Sequence, residues 1–125
     1  MKLNQITLPS HNLSETIQFY KQLGCELIVD TPHYLRFKAP GNDVTFSFIL
    51  SDAANPTTIY FELESEHALE QNVKQLIENG ISFTSKPEAQ RYLWHEATLV
   101  DPSGNHIKLY FAGDNRLNPP WKVAN

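Results

Sequence analysis

The chain has 125 residues, a size at which one domain buries roughly two-thirds of its unfolded surface and needs no disulfide or metal staple. Fourteen acidic against ten basic side chains leave a net charge of −4, with the basic residues scattered singly, so a phosphate backbone is repelled and nucleic-acid binding is disfavoured. One cysteine, Cys25, excludes an internal disulfide, the opening Met1-Lys2-Leu3-Asn4-Gln5 lacks a secretion signal's apolar run, and no stretch reaches the ~20 apolar residues of a membrane span, so a cytoplasmic protein is expected.

A first strand is predicted over residues 3–8. Leu13, Ile17 and Tyr20 then fall at i, i+4 and i+7, one stripe of an amphipathic helix. Asn12 is placed to cap that helix, with Glu15 reaching back in a capping box, and Gly24 supplies the left-handed residue that ends it. Three strand segments follow at 26–30, 34–38 and 44–50, the last two joined by the turn Pro40-Gly41-Asn42-Asp43. A short polar connector, residues 51–56, leads to a strand at 57–64. The helical stripe then returns 56 residues on as Leu69, Val73 and Leu76, closed by Gly80. Strands are predicted at 81–84, 93–100 and 107–111, the last two joined by Asp101-Pro102-Ser103-Gly104-Asn105. The order βαβββ therefore occurs twice, which predicts one α+β domain over residues 1–125 with modules at about 3–50 and 57–112. In the tail, 113–125, Pro119 and Pro120 preclude a central strand, and Trp121 is expected to dock on the body.

Aromatic residues make up 11% of the chain and either fill the core or line a pocket for a small organic ligand. Trp94 and Glu96 share one strand face with Thr98, by period-two alternation, while His95 points the other way and cannot chelate one ion jointly with Glu96. His11, His33, His67 and His106 show no HxH or HxxxH spacing; His11 and His67 are expected in solvent. No GxGxxG, GxxxxGK[ST] or GxSxG motif is present, so nucleotide and acyl-transfer chemistries have no signature behind them.

The run Asn12-Leu13-Ser14-Glu15-Thr16-Ile17-Gln18-Phe19-Tyr20 with Leu23-Gly24, the late hairpin Asp101-Pro102-Ser103-Gly104-Asn105-His106-Ile107 with Lys108-Leu109, and the duplicated βαβββ order together resemble the vicinal oxygen chelate superfamily, the glyoxalase/bleomycin resistance/dioxygenase group. The likeness covers about residues 3–111. It implies a cup of two four-stranded, incompletely closed sheets with helices outside, a small molecule held in the cup, and a homodimer. Metal-dependent members hold an ion with two to four His, Glu or Gln side chains and use it as a Lewis acid for isomerisation, ring cleavage, epimerisation or thiol addition; others bind drugs of the bleomycin type without metal.

Carried over one position at a time, the resemblance places the four ligand positions at Gln5, Ser47, Thr58 and Lys108. Glutamine is an acceptable oxygen donor; a neutral serine or threonine hydroxyl is a poor one. Lys108 stands where relatives keep glutamate, and two like charges at ~4 Å cost about 4 kcal/mol at an effective dielectric of about 20. The metal site is therefore expected to be lost, and no cofactor is predicted. In the hairpin around residues 101–105, Thr98 lies opposite Lys108 and Glu96 is its diagonal neighbour, so a Lys108/Glu96 pair is expected. Such a pair either binds a polar or anionic ligand or merely fills the vacated site. Arg116 is a further candidate anion contact.

Three functions follow as expectations. The first is a metal-free binding protein for a small anionic or aromatic molecule, contacting Gln5, Ser47, Thr58, Trp94, Glu96, Thr98, Lys108 and Arg116. The alternative is a divergent lyase or dioxygenase whose divalent metal is held by Gln5, Glu96 and His106. The third is a metal-free enzyme with Glu96 as catalytic proton-transfer base.

Overall fold

The computed structural model describes residues 4–52, 57–122 and 124. It contains β1 (Gln5–Ser10), α1 (Leu13–Gln22), β2 (Glu26–Asp30), β3 (Tyr34–Lys38), β4 (Thr45–Leu50), β5 (Thr58–Glu62), α2 (Glu66–Glu78), β6 (Ser85–Ala89), β7 (His95–Val100) and β8 (His106–Phe111), followed by a 3-10 turn, Gly113–Arg116. This is the α+β class expected, with βαβββ occurring twice. Two four-stranded mixed sheets result, ordered β1-β4-β3-β2 and β5-β8-β7-β6, and neither closes into a barrel. In each the first strand runs parallel to the last of its module, Gln5 opposite Thr45 and Tyr60 opposite Lys108. The chain forms two compact units, Met1–Thr57 with Val100–Asn105, and Thr58–Leu99 with His106–Asn125.

Both helices end as their glycines dictate. Gly24 has φ of 104° and Gly80 of 94°. In α1 the Cys25 N–H reaches the Tyr20 carbonyl at 2.9 Å and the Gly24 N–H that of Lys21 at 3.1 Å; in α2 Ile81 reaches Leu76 at 2.9 Å and Gly80 reaches Ile77 at 3.0 Å. These are paired Schellman terminations, with a buried apolar residue one position past each glycine. At the other end Asn12 Oδ1 accepts from the Glu15 N–H at 3.0 Å, as expected. The reciprocal arm of the capping box is not made: Asn12 N–H donates to Ser10 Oγ at 3.3 Å, and the Glu15 carboxylate faces His11 at 3.8 Å.

The same termination corrects the strand expected at 81–84. Ile81 is bound into the helix end, so the strand begins four residues later, at Ser85, and its register shifts between Ser85 and Glu88. Pro87 is tolerated there because β6 is an edge strand. A second correction concerns residues 93–94, expected in β7. Leu93 has φ of 74° and closes a turn in which its N–H donates to the Gln90 carbonyl at 3.0 Å, so β7 starts at His95. Trp121, expected to dock, is 58% exposed. Of the first predicted strand, Leu3 lies outside the described residues, as do 53–56 of the connector.

The first unit packs α1 on its sheet through an aromatic cluster. Tyr20, Phe37, Phe46 and Phe48 are all at most 2% exposed, with Tyr20 centred 4.8 Å from Phe48 and 5.4 Å from Phe46. Its buried polar knot is the turn 101–105. Asp101 Oδ1 accepts from the N–H groups of Ser103 (2.9 Å) and Asn105 (2.8 Å), while Oδ2 accepts from Tyr20 Oη and Asn105 Nδ2, both at 2.8 Å. Asn105 Nδ2 also donates to the Pro9 carbonyl and its Oδ1 accepts from the Thr57 N–H. Burial, followed by the Asp101 carboxylate, raises the Tyr20 pKa far above the ordinary phenol value. The second unit packs Leu69, Val73 and Leu76 of α2 against a core that includes Ile59, Ala97, Leu99, Ile107 and Leu109.

Cys25 is buried, and burial pushes its thiol up to about 12. Because the thiolate is the reactive form, at pH 8 the folded protein is expected to react with a disulfide reagent roughly a thousandfold more slowly than the urea-unfolded chain. A native rate within tenfold of the unfolded one contradicts that burial.

Candidate functional site

Alternation along β5, β7 and β8 sends Ile59, Ala97, Leu99, Ile107 and Leu109 to the helix side, and Tyr60, Glu96, Lys108 and Tyr110 to the other. His95 confirms the sense of β7, because its Nδ1 lies 3.3 Å from Glu66 Oε1 on α2. On the opposite face Lys108 Nζ sits 3.2 Å from Glu96 Oε1, the diagonal pair expected from the hairpin. Glu96 is 2% exposed. Burial works against the Lys108 charge, but the hydrogen bond and negative charge of Glu96 outweigh it and the pKa rises above its ordinary value. The remaining carboxylate oxygen, Glu96 Oε2, is buried and has no hydrogen-bond partner among the described residues.

An aromatic set surrounds this pair. Lys108 Nζ lies 5.6 Å from the Tyr60 ring centre. Trp94 stacks on Tyr110 at 4.5 Å and 13°, while Tyr60 and Tyr92 meet Trp94 edge-on at 6.2 and 5.9 Å. The Trp94 indole N–H donates to the Asn115 carbonyl at 3.3 Å, which ties the 3-10 turn to the cluster. Tyr92 stands near enough to Glu96 that burial and then the carboxylate raise its pKa, without satisfying Oε2. Half of Tyr60 and 39% of Tyr92 remain exposed, so the rings offer open surface beside an ion pair whose carboxylate is buried and whose ammonium is partly exposed.

The other expected contacts of this unit fall differently. Thr98 Oγ1 is engaged by the hydroxyls of Thr84 and Ser85 at 2.9 and 2.7 Å. Thr58 is exposed at the start of β5, in register with His106, so the β5 neighbour of Lys108 is Tyr60. The Arg116 guanidinium pairs with Glu62 at 3.3 Å.

In the first unit Gln5 and Ser47 come together, Gln5 Nε2 donating to Ser47 Oγ at 2.7 Å. The Gln5 carbonyl oxygen accepts from the Thr45 hydroxyl. Ser47, fully buried, also lies 2.6 Å from Tyr34 Oη, and Arg36 Nε donates to that same phenol oxygen at 3.0 Å. The Ser47 hydrogen bond chiefly, with help from Arg36, lowers the Tyr34 pKa.

The four positions at which the resemblance implies metal ligands thus hold an amide oxygen already engaged, a serine hydroxyl bound to two neighbours, an exposed threonine and a paired ammonium. That donor set does not fit a divalent cation. Among the described residues no three His, Cys, Asp or Glu side chains gather as a metal group, and Glu96 is committed to Lys108. His11, His33, His67 and His106 are exposed.

Sequence reasoning missed five side chains of these clusters: Tyr34, Arg36, Tyr60, Tyr92 and Tyr110. Parity puts Tyr60, two residues past Thr58, and Tyr110, two past Lys108, on the strand faces already singled out, but not against their partners. Arg36 comes opposite Ser47 through the β3/β4 register.

Residues 2–109 match the model of the Glyoxalase/Bleomycin resistance protein/Dioxygenase superfamily. No curated protein gives a significant match. Among solved structures, a glyoxalase/bleomycin resistance protein/dioxygenase from Alicyclobacillus acidocaldarius is similar with a TM-score of 0.77 at 20% identity, over 94% of this chain and 96% of that one. A bleomycin-binding protein complexed with bleomycin is similar with a TM-score of 0.72 at 22% identity, over 89% and 98%. A lactoylglutathione lyase from Agrobacterium tumefaciens has a TM-score of 0.74 at 14% identity, over 88% and 92%. At these identities the likeness is one of fold.

Proposed function

The chain belongs to the glyoxalase/bleomycin resistance protein/dioxygenase superfamily, and from that premise we propose that it is a binding protein for a small organic molecule with an aromatic body, working without a divalent metal. The carrying observation is the Lys108–Glu96 pair at 3.2 Å amid Tyr60, Tyr92, Trp94 and Tyr110, with Glu96 Oε2 buried and unpartnered. The rings supply stacking surface. Lys108 supplies a donor to a ligand oxygen, and Glu96 Oε2 an acceptor for a ligand O–H or N–H, whose arrival would relieve the cost of an unsatisfied buried oxygen. Since the two charges offset each other, the pair selects a polar, uncharged group rather than a bare anion. In this role residues 1–125 act as one functional domain.

The donor set described above supports the absence of metal. Protein stripped and re-equilibrated with Ni, Zn, Mn or Fe is expected to retain well under one equivalent per chain by elemental analysis. Tight stoichiometric metal would sink this reading in favour of the divergent lyase or dioxygenase using Gln5, Glu96 and His106. Ligand engagement is read in the same preparation by quenching of indole fluorescence with phenols and aromatic amides. Quenching that survives unchanged in the Trp94→Phe variant would place the ligand elsewhere.

A further inference from the structure

The unit holding Gln5 and Ser47 has a feature the aromatic site does not use. Ser47 is 0% exposed, and its oxygen meets only two side-chain groups in the hydrogen bonds described, the Gln5 amide nitrogen at 2.7 Å and the Tyr34 phenol at 2.6 Å. The amide nitrogen is a donor, since Gln5 Nε2 also gives a hydrogen to the Ile6 carbonyl at 3.0 Å while its oxygen accepts from Thr45. The Ser47 hydrogen therefore has one acceptor available, Tyr34 Oη. Arg36 Nε, which carries no lone pair, donates to the same phenol oxygen at 3.0 Å. Tyr34 Oη thus accepts twice and can donate back to neither neighbour.

Two donors are left over. One is the Tyr34 hydroxyl hydrogen. The other is the outer edge of the Arg36 guanidinium, whose terminal nitrogens pair with no carboxylate among the described residues. Three other cations are occupied. Lys108 is matched by Glu96, Arg116 by Glu62, and Lys38 turns its ammonium to the carbonyls of Asn42 and Ala39 at 3.0 and 3.3 Å. Arg36 and Tyr34 alternate on β3 and so share one face of the sheet, anchored from beneath by the buried Ser47.

We infer that Tyr34 and Arg36 form an oxyanion-binding site, taking a carboxylate, phosphate or phosphonate oxygen between the phenol hydrogen and the guanidinium edge, with Ser47 and Gln5 as positioning residues. The chain Gln5→Ser47→Tyr34 fixes the phenol oxygen as an acceptor on its inner side and thereby aims its hydrogen outward. A guanidinium offers planar, paired donors to an oxyanion, and such charge-assisted bonds are about twice as strong as neutral ones. The inference stands independently of the aromatic site described above.

Isothermal titration with phenylphosphonate and with inorganic phosphate at low ionic strength tests it. Both are expected to bind the wild-type protein. Arg36→Gln is expected to weaken binding tenfold or more, and Tyr34→Phe, which keeps the ring and removes the hydroxyl that meets the anion and also receives Ser47 and Arg36, about three- to tenfold. Lys74→Gln, an exposed change on α2, reports general charge and is expected to stay within twofold. Circular dichroism of each variant verifies folding. Ser47→Ala gives a second route: the Tyr34 hydrogen bond is lost while Arg36 stays, so an intermediate loss is expected. No binding by the wild type, or losses in Lys74→Gln equal to those in Arg36→Gln, overturns the assignment. So does a loss in Lys108→Met with Arg36→Gln unaffected, which would move the anion to the aromatic site and also overturn the preference for an uncharged group argued there.

Discussion

Replacing Asp101 by alanine is expected to destabilise the protein by about 3–5 kcal/mol, a large part of the roughly 5–15 kcal/mol available to a domain of this size. The carboxylate is 4% exposed and accepts four hydrogen bonds, from the Ser103 and Asn105 N–H groups, the Asn105 amide and the Tyr20 hydroxyl. Alanine leaves these donors without an acceptor, and Tyr20 and Asn105 are 0% exposed, so water cannot replace it without disrupting the packing. Each unsatisfied buried group costs about 1–3 kcal/mol. Tyr20→Phe removes a single donor and is expected to cost about 1 kcal/mol. Urea unfolding followed by both fluorescence and circular dichroism measures the two differences. A loss under about 1 kcal/mol for Asp101→Ala would mean that the turn is not the anchor these bonds describe.

The second large effect concerns the Lys108–Glu96 pair, and its value lies in a comparison. Lys108→Met is expected to cost about 2–4 kcal/mol, because Glu96, 2% exposed and already lacking a partner on Oε2, then loses the one on Oε1. The double variant Lys108→Met/Glu96→Leu is expected to lie within about 1 kcal/mol of the wild type, since exchanging a paired charge for apolar groups is often neutral. Phenol or aromatic-amide binding, in contrast, is expected to vanish in the double variant despite its restored stability. A double variant as unstable as the single one would show that the side chains do not interact. One that still binds aromatic ligands unchanged would make the pair a structural filler.

Much of the fold is legible in the chain. The 56-residue recurrence of the stripe Leu13/Ile17/Tyr20 as Leu69/Val73/Leu76, each closed by a glycine, gives two helices and their C-termini, because a left-handed residue at that point is nearly free for glycine alone. The turn Asp101 to Asn105 gives the register that brings Glu96 diagonal to Lys108. The failures are local and differ in cause. Ile81, apolar and next to a glycine, is compatible with both a strand start and a helix-terminating contact, and the latter wins through its N–H bond to Leu76. At Leu93 a residue unfavourable at positive φ closes a turn, which no composition signal announces.

By itself, then, the order of residues determined the duplicated βαβββ architecture, the serine, threonine and lysine that stand at positions 47, 58 and 108, and the opposed charges of Lys108 and Glu96. These are matters of period, parity and side-chain chemistry, which local sequence carries. Only the tertiary structure decided which residues complete each cluster. Tyr60 meets Lys108 because β5 lies parallel to β8, Tyr34 and Arg36 meet Ser47 because β3 lies beside β4, and Tyr20 meets Asp101 across 81 positions of chain. Strand order and register arise from the packing of the whole sheet, so partners from distant segments cannot be read from any one of them.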